Sequence, residues 1–291
     1  MREPVFTGVC TALVTPFHES GSIDFDAFSA QIQRQLDSGA DALCVCGTTG
    51  ESPTLSKQEW QDAVLFCIRE VRGRVKVIAG TGTNCTETSL ERTRFAQDHG
   101  ADAALLVTPY YNKTTQEGLV RHYEYVAQRT QIPLILYNVP SRTGLSFTAE
   151  TYARLAQLET INGVKEASGD FTLFTKTRTR CGDDFHIWSG SDELTLPFRT
   201  MGAVGVISAA ANVIPEVMVS ICKSDLNSAA KLQLQYANLL DALFSEVNPI
   251  AIKYAMQLIG LDSGVLRLPL TPISRENGNK VRAALQQLNL L

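Results

Sequence analysis

The sequence predicts a (β/α)8 barrel with a small C-terminal helical extension. Eight short apolar runs rich in β-branched residues recur along its first three quarters. Longer amphipathic stretches with polar starts lie between them, as helices packed on a sheet require. The nearest alternative, a doubly wound sheet, usually has fewer strands and a glycine-rich first turn, which is absent here.

In chain order the strand runs are "GVCTALVTPF" (8–17), "DALCVCG" (41–47), "VKVIAGTG" (75–82), "DAALLVTP" (102–109), "PLILYNVP" (133–140), "INGVKEAS" (161–168), "FHIWSGSD" (185–192) and "GVISAAAN" (205–212). Between them, "DFDAFSAQIQRQLDSG" (24–39), "SKQEWQDAVLFCIREVRG" (56–73) and "TQEGLVRHYEYVAQRT" (115–130) open on residues suited to N-caps and carry apolar positions at a period of 3.6. "LDSGADAL" and "QDHGADAAL" resemble each other, with Gly39 and Gly100 placed to end one helix before the next strand. After "NVIPEVMVSICKSD" (212–225) the strand signal stops. "NSAAKLQLQYANLLDALFSE" (227–246), "PIAIKYAMQLIG" (249–260) and "RENGNKVRAALQQLNL" (275–290) read as helices. The expected division is a catalytic barrel over 1–226 and a helical domain over 227–291.

The 291 residues are 44% hydrophobic and 19% charged, within the range of a globular protein with one large core. A net charge of −4, with Lys and Arg scattered, provides no electrostatic footprint for nucleic acid or an anionic membrane, and a small ligand is expected. The start has no apolar run of signal-peptide length and no later run is long enough to span a bilayer, which points to the cytoplasm. The seven cysteines (Cys10, Cys44, Cys46, Cys67, Cys85, Cys181, Cys222) lack zinc-site spacings and read as reduced core residues. His18, His99, His122 and His186 are not at metal-ligand spacings either, and no metal or phosphate loop is indicated.

Barrel active sites form at the C-terminal ends of the strands. The unusual residues fall there: "GTTGES" (47–52), "PYYN" (109–112), "YNVPSRTG" (137–144), Lys165 and "SGSDE" (189–193). In "GTTGES", the Thr48 and Thr49 hydroxyls and backbone N–H groups beside Gly47 and Gly50 suit a carboxylate, although alone the loop reads sooner as an ordinary turn and helix start. Arg142 suits a carboxylate held by two parallel N–H bonds, or is a solvated loop arginine. Tyr110, Tyr111 and Tyr137 are core or interface aromatics unless a hydroxyl faces the axis. Lys165 decides the reading. Poor solvation within a barrel strand favours the neutral amine, which can attack a ketone, and Glu166 is no partner because adjacent strand residues point to opposite faces.

Together "GTTGES", "VTPYYN", "YNVPSRTG", "GVKEASGD", "SGSDE" and "GVISAAANV" resemble, in this order and over essentially the whole chain, the dihydrodipicolinate synthase (4-hydroxy-tetrahydrodipicolinate synthase) family of pyruvate-dependent lyases. The resemblance implies condensation of pyruvate with L-aspartate 4-semialdehyde through an imine on Lys165, with no cofactor besides that covalent substrate. It implies that Tyr137 moves protons and that Thr48 and Tyr111 complete a hydroxyl relay, Tyr111 entering from a neighbouring subunit. Thr49, Gly190 and Ile207 would hold pyruvate, and Arg142 the semialdehyde carboxylate. The implied assembly is a homo-oligomer, a tetramer built from dimers. Ser52, Asn84 and Tyr110 match an allosteric lysine site. Thr88 stands where inhibited members carry a glutamate, and Lys57 and Trp60 replace histidines, so weak or absent lysine feedback is expected. Other pyruvate aldolases, such as N-acetylneuraminate lyase or a 2-keto-3-deoxy sugar acid aldolase, are the rival reading. "GTTGES" and Arg142 argue against them, as does the intact Lys165 set against a catalytically silent binding protein.

Overall fold

A computed structural model describes residues 2–291. Each of the eight runs supplies one strand: β1 (Gly8–Ala12), β2 (Ala42–Val45), β3 (Lys76–Gly80), β4 (Ala103–Val107), β5 (Leu134–Asn138), β6 (Ile161–Glu166), β7 (His186–Ser189) and β8 (Gly205–Ser208). They pair in parallel in sequence order, and β8 returns to β1 through registers such as Val9 with Val206, closing the barrel. All-parallel order follows from helical crossovers, which bury both faces of every strand.

The helix starts follow capping chemistry. Asp24 accepts the Ala27 N–H at 2.9 Å ahead of the helix Phe25–Asp37. Ser56 and Glu59 form a reciprocal capping box at the start of Lys57–Val71, and Thr115 caps Gln116–Ala127. Gly39 and Gly100 sit just past helix ends with φ of 81° and 91°, the left-handed region where a side chain would be strained.

Two apolar layers result. Outward-facing strand residues such as Leu43, Val77, Leu106, Leu136 and Val164 meet the helices in the main core. The barrel interior holds Cys10, Ala12, Ala42, Cys44 and Ala103, small side chains that leave room for Tyr137, Trp188 and Lys165. Phe6 stacks on Trp188 at 5.2 Å and its carbonyl accepts the indole N–H, so the N-terminal segment packs against the interior cluster.

The C-terminal helices are not a free appendage. Leu239, Leu240, Ile252, Met256, Val281 and Leu285 share one core with Val9 and Val206 of the barrel strands and with Met218. Full burial of such side chains contributes roughly 1.5–3 kcal/mol each. The stretch 227–246, read as one helix, is two: Leu226–Gln235 and Ala237–Leu243, joined at Tyr236 with ψ near 1°. The break lets Leu239, Leu240 and Leu243 turn inward while Leu234 stays 77% exposed. Short helices at Pro140–Thr143, Ala149–Leu155 and Thr195–Thr200 were too brief to show a helical period. Among the cysteines, Cys10, Cys44, Cys46 and Cys67 are buried as expected, but Cys85 is exposed just ahead of the helix Thr86–Asp98 and is no core residue.

Candidate active site

Lys165 lies in β6, in register with Tyr137 of β5 on one side and Trp188 of β7 on the other. Its side chain points inward: Nζ is 4.4 Å from the Tyr137 ring centroid, and the residue is 7% exposed. Glu166 faces the other way. Its carboxylate accepts hydrogen bonds from Asn138 Nδ2, the Tyr152 hydroxyl at 3.0 Å and the Ser168 N–H at 2.8 Å. Burial raises its proton affinity despite those donors. The strand alternation therefore separates the amine from the carboxylate beside it in sequence.

Above Lys165 opens a cavity of about 650 Å³ whose walls include Lys165, Tyr137, Thr49, Arg142, Gly190 and Ile207. The structure thus brings together, from five different strand ends, residues separated by up to 158 positions (49 to 207). Gly190 has a steric reason: a Cβ there would stand 2.6 Å from the Ala167 Cβ and 3.1 Å from the Lys165 Cγ. Such crowding would displace the lysine stem.

Thr48 lines an adjoining cavity of about 340 Å³ with Tyr137, Arg142, Ser52 and Tyr110. Tyr137 and Arg142 border both spaces. In the loop itself, the Gly50 N–H bonds to the Gly47 carbonyl and the Glu51 N–H to the Thr48 carbonyl. Those two amides close the turn and are not offered to an anion. The Thr48 and Thr49 amides make no backbone bond among the described residues, so they carry whatever anion contact the loop makes.

Tyr111 lines neither cavity. It is 93% exposed, on a left-handed backbone with φ of 69°. Of the residues matched to a lysine site, Ser52 and Tyr110 face the smaller cavity, and the Asn84 carbonyl accepts from Asn112. Thr88, Lys57 and Trp60 line a separate cavity of about 230 Å³, where Lys57 pairs with exposed Glu91 at 3.3 Å. The histidines lie elsewhere. His122 is buried, bonded to Thr86 and held neutral to about pH 4 by burial, and His186 bonds the Arg2 carbonyl.

Sequence reasoning missed Asn248. Its Nδ2 donates to Thr49 Oγ1 at 2.9 Å, and its backbone carbonyl accepts from Arg142 Nη2 at 3.1 Å. Phe244, Glu246 and Val247 of the same connection also wall the larger cavity. Nothing in "SEVNPI" is periodic or chemically unusual, so no signal pointed to it. Its role comes from the C-terminal core, which sets this connection over the barrel mouth.

A family model described as the dihydrodipicolinate synthetase family matches residues 5–288. The chain belongs to that family. A family relative from Thermoanaerobacter sp. (strain X514), named 4-hydroxy-tetrahydrodipicolinate synthase, is 44% identical over 293 aligned residues, covering 99% of this chain and 98% of the relative. The dihydrodipicolinate synthase structure from Aquifex aeolicus superposes with a TM-score of 0.96 at 42% identity, covering 98% of this chain and 99% of that one. The chloride-inhibited dihydrodipicolinate synthase from Acinetobacter baumannii, solved in complex with pyruvate, does so with a TM-score of 0.96 at 39% identity, over 98% and 99%. This dihydrodipicolinate synthetase family chain is accordingly an enzyme, a lyase.

Proposed function

We propose that this enzyme condenses pyruvate with L-aspartate 4-semialdehyde on Lys165, giving 4-hydroxy-tetrahydrodipicolinate for lysine and diaminopimelate biosynthesis. The observation that carries the residue assignment is the inward Lys165 amine beside Tyr137, in one cavity with Thr49 and Arg142. A sugar-acid aldolase is not retained, because the curated relatives over the full chain carry the synthase name.

Pyruvate's carboxylate sits against Thr49 and the free amides of its loop, with the Ile207 main chain and Gly190 beside the ketone. Lys165 Nζ attacks the ketone carbon. The carbinolamine loses water, with Tyr137 delivering the proton to the departing oxygen, and an imine remains. Loss of a methyl proton gives the enamine, whose carbon adds to the aldehyde of the second substrate while Arg142 holds that substrate's carboxylate. The aldehyde oxygen takes a proton and becomes the hydroxyl. Attack of the substrate's own amine on the imine carbon closes the ring and returns the amine of Lys165. The covalent carrier is the lysine itself, so the sequence of steps calls for no cofactor.

A free tyrosine gives up its proton only near pH ~10, so a relay of hydroxyls is the physical way to move protons at neutral pH. We assign the relay to Tyr137, Thr48 and Tyr111, the last supplied by a second copy of the chain, and read the working form as a tetramer built from dimers. Seven free thiols suit a reducing compartment, and we place the enzyme in the cytoplasm.

Borohydride should trap pyruvate on the wild-type enzyme as a secondary amine at Lys165, seen by intact-mass and peptide spectrometry. Lys165→Ala should trap none. A pyruvate adduct persisting in that variant, or mapping to another lysine, would overturn the assignment.

A further inference from the structure

We infer that Glu166 is a positioning residue, whose carboxylate ties β5 to β6 from the outer face of the barrel and thereby sets Tyr137 against Lys165. The inference rests on the imine and proton-transfer roles given above to those two residues.

Tyr137 faces Lys165 across the β5–β6 ladder, and the next register step faces Asn138 with Glu166. Strand alternation sends the first pair into the barrel and the second pair out of it. One outward step earlier the pair is Leu136 with Val164, both packed in the apolar helix layer. That face turns polar at the strand ends, beside the amine and the phenol. There Asn138 Nδ2 donates to both carboxylate oxygens, at 3.0 and 3.1 Å, so a side-chain link spans the two strands directly behind the reacting pair.

The link is kept against its cost. Glu166 is 2% exposed, and the donors that reach its carboxylate are the neutral groups of Asn138, Tyr152 and Ser168. A buried carboxylate without a cation costs stability, and an apolar pair like the one before it would fill the same face. Asn138 adds to that cost. Its Nδ2 also reaches Ser146 Oγ at 3.1 Å, while its Oδ1 is buried with no partner among the described residues. Turning the amide over would set that oxygen against the carboxylate, so Glu166 and Ser146 hold it in one orientation. Unpaired buried acceptors are rare in native interiors and mark a constraint. The Glu166 backbone reaches the site as well: its carbonyl accepts the Gly190 N–H at 2.7 Å, and Gly190 walls the cavity with Lys165. One residue thus joins the ends of β5, β6 and β7 around the amine, whose Nζ lies 4.4 Å from the Tyr137 ring centroid. A misplacement of about 1 Å between reacting groups costs about a hundredfold in rate, so bracing at this point acts on the chemistry.

The test separates the cross-strand link from the rest of the cluster. Asn138→Leu combined with Glu166→Leu replaces the link by an apolar pair, whereas Tyr152→Phe removes one donor to the same carboxylate from the helix Ala149–Leu155, outside both strands. The readouts are the rate at which pyruvate becomes trappable by borohydride after rapid mixing, and the KM for the semialdehyde. The double variant should trap pyruvate about tenfold more slowly than wild type, while that KM moves less than about twofold. Tyr152→Phe should trap within about twofold of the wild-type rate. If the two slow trapping alike, the carboxylate only serves the helix layer and the inference falls. It falls equally if neither slows trapping. Glu166→Gln is closest in size and guards against a double variant that does not fold. It loses the two-oxygen contact and should slow trapping by about threefold with an unchanged circular dichroism spectrum. A folded Glu166→Gln that traps at the wild-type rate overturns the inference. Wild-type enzyme that traps no pyruvate would instead remove the underlying imine reading, whereas trapping at one rate in wild type and every variant removes the Glu166 inference alone.

Discussion

Arg142 shows how much one residue's meaning depends on its surroundings. In sequence it is one arginine among many, and in the structure it is exposed at the end of a four-residue helix, over the cavity that contains Lys165. If, as proposed, it holds the second substrate and not the ketone, Arg142→Ala should lower kcat/KM for the semialdehyde by about 30- to 100-fold, the scale of a lost charge-assisted bond pair, yet leave pyruvate trapping unchanged. Arg142→Lys should recover little, since an ammonium cannot make two parallel bonds to a carboxylate. Steady-state kinetics and trapping measured on the same preparations check this, and equal loss of both would reduce Arg142 to a structural role. Lys165 was legible from sequence because an amine in an apolar strand is anomalous wherever it occurs. Asn248 was not, because an asparagine before a proline is what any loop contains.

At the scale of elements, the "GTTGES" loop is held from outside the barrel. Glu51 lies within the loop with φ of 52° and is 1% exposed at its side chain, where it pairs at 2.7 Å with the fully buried Lys253 of the helix Ile250–Leu258. Lys253 also donates to the Val265 carbonyl, and its Nζ lies 4.3 Å from the Phe17 ring centroid. Glu51 further accepts the Arg267 N–H, and the Arg267 guanidinium pairs with Glu59, holding that carboxylate down to about 2. Burial lowers the proton affinity of Lys253, and the Glu51 charge opposes that. Lys253→Met should cost about 3–5 kcal/mol by chemical denaturation, because it strands a buried carboxylate, and should raise the KM for pyruvate as the loop loosens. Adding Glu51→Gln should return a large part of the stability. A double variant no more stable than the single one would show that the pair does not act as a unit. From sequence, 249–260 reads as a helix with an apolar face, and Lys253 there looks like any helical lysine. Its partner lies 202 positions away, and only packing decides which helix face meets which loop.

For the whole molecule, the isolated chain is a complete barrel in which the three hydroxyls proposed as a relay are not brought together. Tyr111 points into solvent, while Tyr137 and Thr48 border the cavities within. If a second copy supplies Tyr111, then Tyr111→Phe lowers kcat by about a hundredfold, the low end of general acid–base contributions, without preventing imine formation. Mixing Tyr111→Phe with Lys165→Ala chains under exchange should then restore roughly a quarter of wild-type activity. Half of randomly paired dimers would be mixed, each with one intact site. No recovery in mixtures shown by native mass spectrometry to contain mixed dimers would place Tyr111 in service to its own subunit.

The sequence by itself determined the alternation of eight strands and their helices, since the periods 2.0 and 3.6 and the capping residues are written locally. It also determined that Lys165 and Glu166 face apart, because one residue along a strand reverses the side chain. What tertiary structure alone decided is how the C-terminal helices meet the barrel mouth: Asn248 on Thr49 and Arg142, and Lys253 on Glu51. Those contacts depend on the rotation and depth at which one packed layer settles on another, a property of the whole core that no local pattern encodes.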